Sequence, residues 1–184
     1  MNIFLKSIFF LAVVFVKFTA STYADANDAK VNWLTMEEAQ ERFSEEPRLI
    51  FVDVYTSWCG WCRRMTSETY AHPQIARLLN DNFYPVKLNA EQEEPIVFKG
   101  VTYENENIGQ RRATHNFAIA LLQGRMSYPS VVFFDDNLQL ITAIPGFRPP
   151  KAMEGVLTFF KDGVYKENPN LDQFLGTFEG SIRD

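Results

Sequence analysis

Cysteine and histidine are scarce in this chain, with two of each among 184 residues. Two cysteines cannot staple a small disulfide-dense scaffold, and alone they cannot complete a four-cysteine zinc site. Excess positive charge is also missing. Eighteen Lys and Arg stand against 23 Asp and Glu, a formal net charge of −5. That balance excludes a nucleic-acid binder that works by neutralising phosphates. Nine Gly and nine Pro are ordinary numbers, which removes collagen-like and low-complexity readings. There is no internal repeat, no Asn-x-Ser/Thr acceptor and no ER-retention ending in Ser181-Ile182-Arg183-Asp184. What the chain has is apolar material: 46% hydrophobic and 15% aromatic residues. This is ample for a packed core, and the length fits one domain, or one domain plus a tail.

The first apolar run is too short for a membrane span. Ser7 to Val16 lies between Lys6 and Lys17, whereas a bilayer needs roughly 20 apolar residues. The run has the length of a signal-peptide core, and Thr22-Tyr23-Ala24 offers small residues at the cleavage positions. Residues 1–24 therefore read as a signal peptide; the competing readings are an uncleaved anchor and a buried first strand. Cleavage removes two of the 18 basic residues and none of the 23 acidic ones, leaving a formal charge of −7. No cysteine follows the apolar core, which speaks against a lipoprotein. The destination is a compartment where disulfides persist. The missing glycosylation and retention signals point to a bacterial periplasm.

Residues 25–162 read as one domain of alternating strands and helices, followed by a tail at 163–184. Thr35-Met36-Glu37-Glu38 is a capping box that predicts a helix over 36–44. Arg48 to Tyr55 is nearly continuous in apolar residues, as in a strand buried on both faces. Cys59 to Leu79 is helical in character, broken at His72-Pro73, and Phe83 to Asn89 is the next strand. Ile96–Phe98 and Val101–Tyr103 flank Lys99-Gly100 as a small inserted hairpin. A helix over 112–123 closed by Gly124, a hairpin of 130–134 and 139–144, and an amphipathic helix over 151–161 complete the order. In the tail, Leu171, Phe174, Leu175 and Phe178 have helical spacing and suit docking on the body. The class is α/β, a central mixed sheet flanked by helices.

The chemistry concentrates in Trp58-Cys59-Gly60-Trp61-Cys62, which comes directly after the buried strand and opens a helix. A C-x-x-C pair at such a junction is a redox pattern. Helix N-terminal N–H groups and the macrodipole favour a thiolate at Cys59, with Arg63 and Arg64 adding positive charge. Only the thiolate attacks a disulfide. Cys62 lies on the same helical face and can close a short ring. Three other readings compete: a structural disulfide, a zinc site recruiting His72 and His115, and plain buried cysteines. The histidine spacing fits no familiar finger, and so small a ring constrains little chain. Asp53 interrupts the buried strand, and burial should raise its pKa toward neutrality. His72 and His115 read as bland, and Glu91, Glu93 and Glu94 read as a solvated face with no metal.

Phe51 to Cys62, together with Tyr128-Pro129-Ser130, Gly146 and Val86-Lys87-Leu88-Asn89, resembles the thioredoxin superfamily. It is similar to the secreted bacterial thioredoxin-like proteins related to the C-terminal domain of the transmembrane reductase DsbD. The resemblance covers about residues 48–161 and implies a thioredoxin fold. It further implies that Cys59 attacks, Cys62 resolves, and Asp53 takes the Cys62 proton, tuned by Lys87. It implies a cis-proline loop at Tyr128 and Pro129 that pairs with substrate backbone, Gly146 allowing close approach, and a binding surface at Trp58, Gly60 and Trp61. The cysteine pair is then the redox group, with no metal or organic cofactor. Three departures stand out: Trp61 occupies the place where thioredoxin has proline, the helix break at Pro73 falls later, and the insert at 90–110 is longer.

Together these readings describe a periplasmic thiol–disulfide oxidoreductase working in the reducing or isomerising direction. Its partners would be client proteins with cysteines or disulfides and an upstream electron donor, with no nucleic acid and a monomeric state. Two alternatives remain: a thioredoxin-fold binding module with a structural disulfide, and a copper carrier using the same cysteines.

Overall fold

The fold is that of a computed structural model describing residues 29–183. The signal-peptide reading and the start of the 25–162 domain lie outside the described residues. Among the described residues no helix is long and apolar enough to cross a membrane.

Strands β1 (Ile50–Tyr55), β2 (Tyr84–Asn89), β5 (Ser130–Phe134) and β6 (Leu140–Pro145) form a sheet in the order β2-β1-β5-β6. β1 pairs parallel with β2 and antiparallel with β5, and β5 pairs antiparallel with β6, so the sheet is mixed. All but the last residue of β1 are buried, which is why its apolar run is continuous. Upstream, Leu34 bridges Val86 in parallel, its N–H donating to the Pro85 carbonyl at 2.8 Å. This short extension of the sheet has no periodic sequence pattern.

Alternation along β1 sends Ile50, Val52 and Val54 to one face and Phe51 to the other. The first face is covered by α1 (Met36–Glu45), the hairpin β3 (Ile96–Phe98) and β4 (Val101–Tyr103), and α4 (Asn116–Leu121). The second is covered by α3 (Pro73–Asn82) and α5 (Pro150–Lys161). Asp53 shares parity with Phe51, so it enters the second layer.

The capping box is present in both directions: Thr35 Oγ1 accepts from Glu38 N–H at 3.1 Å, and Glu38 accepts from Thr35 N–H at 2.8 Å. The inserted hairpin pairs Ile96 with Tyr103 and Phe98 with Val101, as its flanking Lys99-Gly100 turn predicts. The expectation for 112–123 needs correction. The helix predicted over 112–123 spans only Asn116–Leu121, because Arg112 is left-handed (φ +59°) and His115 is extended and caps the helix through Nδ1. His115 is therefore a fully buried N-cap, not a helical residue among polar neighbours.

The amphipathic reading of α5 holds, and seven of its twelve residues are buried. The reason is the tail, which folds as α6 (Val164–Glu167) and α7 (Leu171–Thr177) and covers the outer side of α5. Phe174 packs on Phe159 with ring centroids 5.3 Å apart. A Cβ on Gly155 would meet Leu175 Cδ2 at 2.6 Å, so glycine is what lets the tail lie close. Ile182 is buried in the same layer.

Candidate active site

The cysteine loop stands where β1 gives way to α2 (Gly60–Arg64). Cys59 is the N-cap of that helix, in extended conformation, and is disulfide-bonded to Cys62 with Cα atoms 5.3 Å apart. The Cys62 N–H donates to Cys59 Sγ at 3.0 Å. A helix N-terminus presents N–H groups that its own turns leave unpaired. Here one of them is spent on the first sulfur, so negative charge on Cys59 is met by a backbone donor. Exposure does not separate the sulfurs, since Cys59 and Cys62 are 5% and 4% exposed. The cap position does.

The two arginines act differently from each other. Arg63 folds back over Gly60, where a Cβ would lie 3.8 Å from its Nη2, and donates to the Ser57 carbonyl at 3.0 Å. Arg64 is paired with Glu68 at 2.8 Å and stacks on Trp61 and Phe147. Both guanidinium groups thus have partners other than the Cys59 sulfur.

The loops that carry Tyr128 and Gly146 meet the two tryptophans of the cysteine loop. Tyr128-Pro129 is a cis peptide, and the Tyr128 ring meets Trp58 edge-on at 6.0 Å. Gly146 stands just past β6 with φ +95°, a conformation that favours glycine, and its N–H donates to the Pro129 carbonyl at 2.8 Å. Phe147 next to it packs on Trp61 at 5.4 Å. Trp58 and Trp61 are 47% and 55% exposed, so neither is core. They form two aromatic shoulders, one against the cis-proline loop and one against the Gly146 turn.

Beneath the pair lies a charged cluster. Register places Asp53 opposite Lys87 on β2, and Lys87 Nζ donates to Asp53 Oδ2 at 2.5 Å and to Thr66 Oγ1 at 3.1 Å. The ammonium also lies 4.8, 5.1 and 4.9 Å from the ring centres of Trp33, Tyr55 and Tyr70. Such a cage favours a cation. Burial pushes the Asp53 carboxyl above its ordinary value, and the opposing pull of Lys87 and Tyr70 does not cancel it. A recess of about 320 Å³ is lined by Cys62, Lys87, Thr56 and Thr66, among others. Cys62 and Lys87, whose ammonium pairs with Asp53, thus line one recess.

Some participants were not legible in the sequence. Glu91, read as part of a solvated face, accepts the Trp58 indole N–H at 2.9 Å, while Glu93 and Glu94 are exposed. Arg112 lies over the same indole, its guanidinium 4.4 Å from the Trp58 ring centre. The insert is pinned by buried Asn105, which donates to the carbonyls of Gln92 and Ala113 at 3.1 and 3.0 Å. Nothing in the spacing of these residues announces a meeting at Trp58. Among the described residues no group of three or more His, Cys, Asp or Glu converges as a metal site.

The fold and the closed cysteine pair define the class: a thioredoxin-fold protein carrying a disulfide-forming Cys-x-x-Cys, the arrangement of a thiol–disulfide redox site. Residues 16–162 match the family Thioredox_DsbH, described as "Protein of unknown function, DUF255", and the chain belongs to that family. An uncharacterised Caenorhabditis elegans protein, B0495.5, is 29% identical over 123 residues, 67% of this chain and 15% of its own length. Mouse spermatogenesis-associated protein 20 is 34% identical over 67 residues, 36% of this chain and 8% of its own. The chain thus spans a small part of these curated relatives. A solved thioredoxin-fold protein from Helicobacter pylori superposes with a TM-score of 0.55 at 16% identity, over 84% of this chain and 94% of that one. The likeness to the thioredoxin superfamily, read from the residues, is borne out.

Proposed function

We propose that this protein is a periplasmic thiol–disulfide oxidoreductase that exchanges its Cys59–Cys62 pair with client proteins, in the reducing or isomerising direction. The reduced Cys59 thiolate attacks a client disulfide, one client sulfur leaves, and a mixed disulfide forms. Asp53, held by Lys87, takes the Cys62 proton. The Cys62 thiolate then attacks Cys59, the second client thiolate departs, and the Cys59–Cys62 bond closes. Two electrons pass from the pair to the client. No further cofactor is needed, and an upstream reductant of the dithiol class restores the pair. An extended client segment lies along Tyr128, Pro129 and Gly146, between the Trp58 and Trp61 shoulders around Gly60. The working unit is a monomer.

One observation carries this reading: Cys59 caps the helix and its sulfur receives the Cys62 N–H. A structural disulfide needs no such donor. The test is trapping. Cys62→Ala is expected to accumulate mixed disulfides with clients, and Cys59→Ala to accumulate none. Equal trapping by both variants would overturn the assigned roles. A reduction potential below about −300 mV would mark the pair as a resistant structural bond and favour a binding module instead.

A further inference from the structure

Tyr70 takes no part in the steps above, yet it is 3% exposed and its hydroxyl donates to Asp53 Oδ1 at 3.0 Å. The local backbone explains how it gets there. Residues Met65–Thr69 continue α2 as a π-helical turn, closed by the Tyr70 N–H on the Met65 carbonyl at 3.0 Å. A π turn adds a residue to the helix and re-aims the side chains beyond it, and such turns occur frequently at functional sites. The Tyr70 ring is then fixed edge-on to Trp33 at 5.0 Å and to Phe51 at 6.1 Å. It also forms one wall of the cage around Lys87.

The carboxylate is therefore divided between two donors: Oδ2 receives Lys87 and Oδ1 receives Tyr70. Around this pair Thr66 holds the ammonium from the helix side, Trp33 and Tyr55 complete the cage, Cys62 lines the same recess as Lys87, and β5 presents Val131, which does not titrate. A hydrogen bond donated to a carboxylate stabilises its charged form and lowers its appetite for a proton. The phenol cannot itself give up its proton usefully, since burial and the adjoining carboxylate push it well above its ordinary value of 10.0.

We propose that Tyr70 is a positioning residue for the resolving step, holding the Asp53 carboxylate as the acceptor of the Cys62 proton. This rests on the roles given to Cys62 and Asp53 under the proposed function. In that step the proton leaves Cys62 Sγ for an Asp53 oxygen. The Cys62–Cys59 bond forms as the Cys59–client bond breaks, and the client sulfur leaves with the electron pair and is protonated by solvent.

The experiment uses the full mature chain with a mixed disulfide to glutathione preformed on Cys59, and measures single-turnover release of glutathione across pH. Tyr70→Phe keeps the ring and removes the donor. Release is expected to slow about 3–10-fold on the rising limb of the profile, the limb moving to higher pH, with rates converging at alkaline pH. In an Asp53→Asn background the same change is expected to have no further effect. Replacing Tyr70 by 3-fluorotyrosine, a stronger donor of nearly the same shape, should move the limb to lower pH. A folded Tyr70→Phe protein with an unmoved limb would overturn the proposal, as would equal effects with and without Asp53. Infrared titration of the Asp53 carboxyl in the resting protein separates the two levels of failure. If no variant forms a mixed disulfide, the functional reading fails, whereas a carboxyl titration unmoved by Tyr70→Phe removes Tyr70 alone.

Discussion

Asp53 is 2% exposed at the side chain, and its ionic partner, Lys87, is itself largely covered. Burying a carboxylate can cost more in lost hydration than its ionic and hydrogen-bonding partners return. The raised pKa states this balance directly, with burial the largest influence and Lys87 the main opposing one. The sign for stability comes from linkage. A carboxyl whose folded pKa lies above its unfolded value contributes stability that is full below the unfolded pKa and lost as pH rises through the folded one. Asp53→Asn is therefore expected to raise the melting temperature at pH 7, by about 2–4 °C for each kcal/mol relieved. The advantage should vanish below the ordinary aspartate value of 3.8. Thermal scans of both proteins from about pH 3 to 8 check this. A variant less stable than the parent at pH 7 would show that Lys87 outweighs burial. A carboxyl that burial holds above its ordinary value suits the proton-accepting role proposed for Asp53.

At the scale of elements, the C-terminal strap shows the opposite electrostatic arrangement. Glu154 lies on the tail-covered side of α5, and its carboxylate accepts from the Ser181 N–H at 2.9 Å, the Ser181 hydroxyl at 2.6 Å and the Ile182 N–H at 2.9 Å. Burial pushes this carboxyl up, but the three donors, with His72 nearby, outweigh it and hold it below its ordinary value. A depressed carboxyl contributes stability that is present above the unfolded pKa and lost as pH falls through the folded one. Amide exchange at Ser181 and Ile182 is therefore expected to accelerate below the ordinary value of 4.5 while the sheet amides stay protected. Glu154→Ala should release the strap at neutral pH and cost about 2–3 kcal/mol, since charged hydrogen bonds and buried N–H partners are both lost. Exchange at the two amides unchanged by either treatment would mean that Ile182 packing alone holds the end. Phe159, Phe160 and Val156 gave α5 its periodicity, but Gly155 and Glu154 gain their meaning only from the tail lying over them.

For the molecule as a whole, the proposal of export places the domain where its cysteine pair can cycle between disulfide and dithiol. The chain expressed with its own leader is expected to yield a mature protein beginning at Asp25, recovered from the periplasmic fraction. Intact-mass measurement checks the start, and fractionation checks the place. A protein retaining residues 1–24 in the cytoplasm would sink the export proposal without touching the redox chemistry. The insert sits at the same scale. It adds a cavity of about 440 Å³ beside Trp58, bounded by Glu91, Asn105, Ile108 and Arg112. Through Glu91 and Arg112, residues far apart in the chain brace one indole next to the sulfurs.

Much of this architecture was written in local pattern. The capping box at Thr35, the run at Ile50–Val54, the turn at Lys99-Gly100 and the cysteine loop each arise from chemistry within a few residues, so periodicity and turn residues specify them. The sequence by itself determined the order of strands and helices, the strand-to-helix placement of Cys59 and Cys62, and the presence of a carboxylate inside β1. Only the tertiary structure decided what surrounds those groups. Tyr70 reaches Asp53 across 17 residues, Glu91 reaches Trp58 across 33, and Ser181 reaches Glu154 across 27. No periodicity encodes such meetings, because hydrogen bonds and ring contacts depend on where packed layers bring side chains together, and that placement is settled by burial of the whole core.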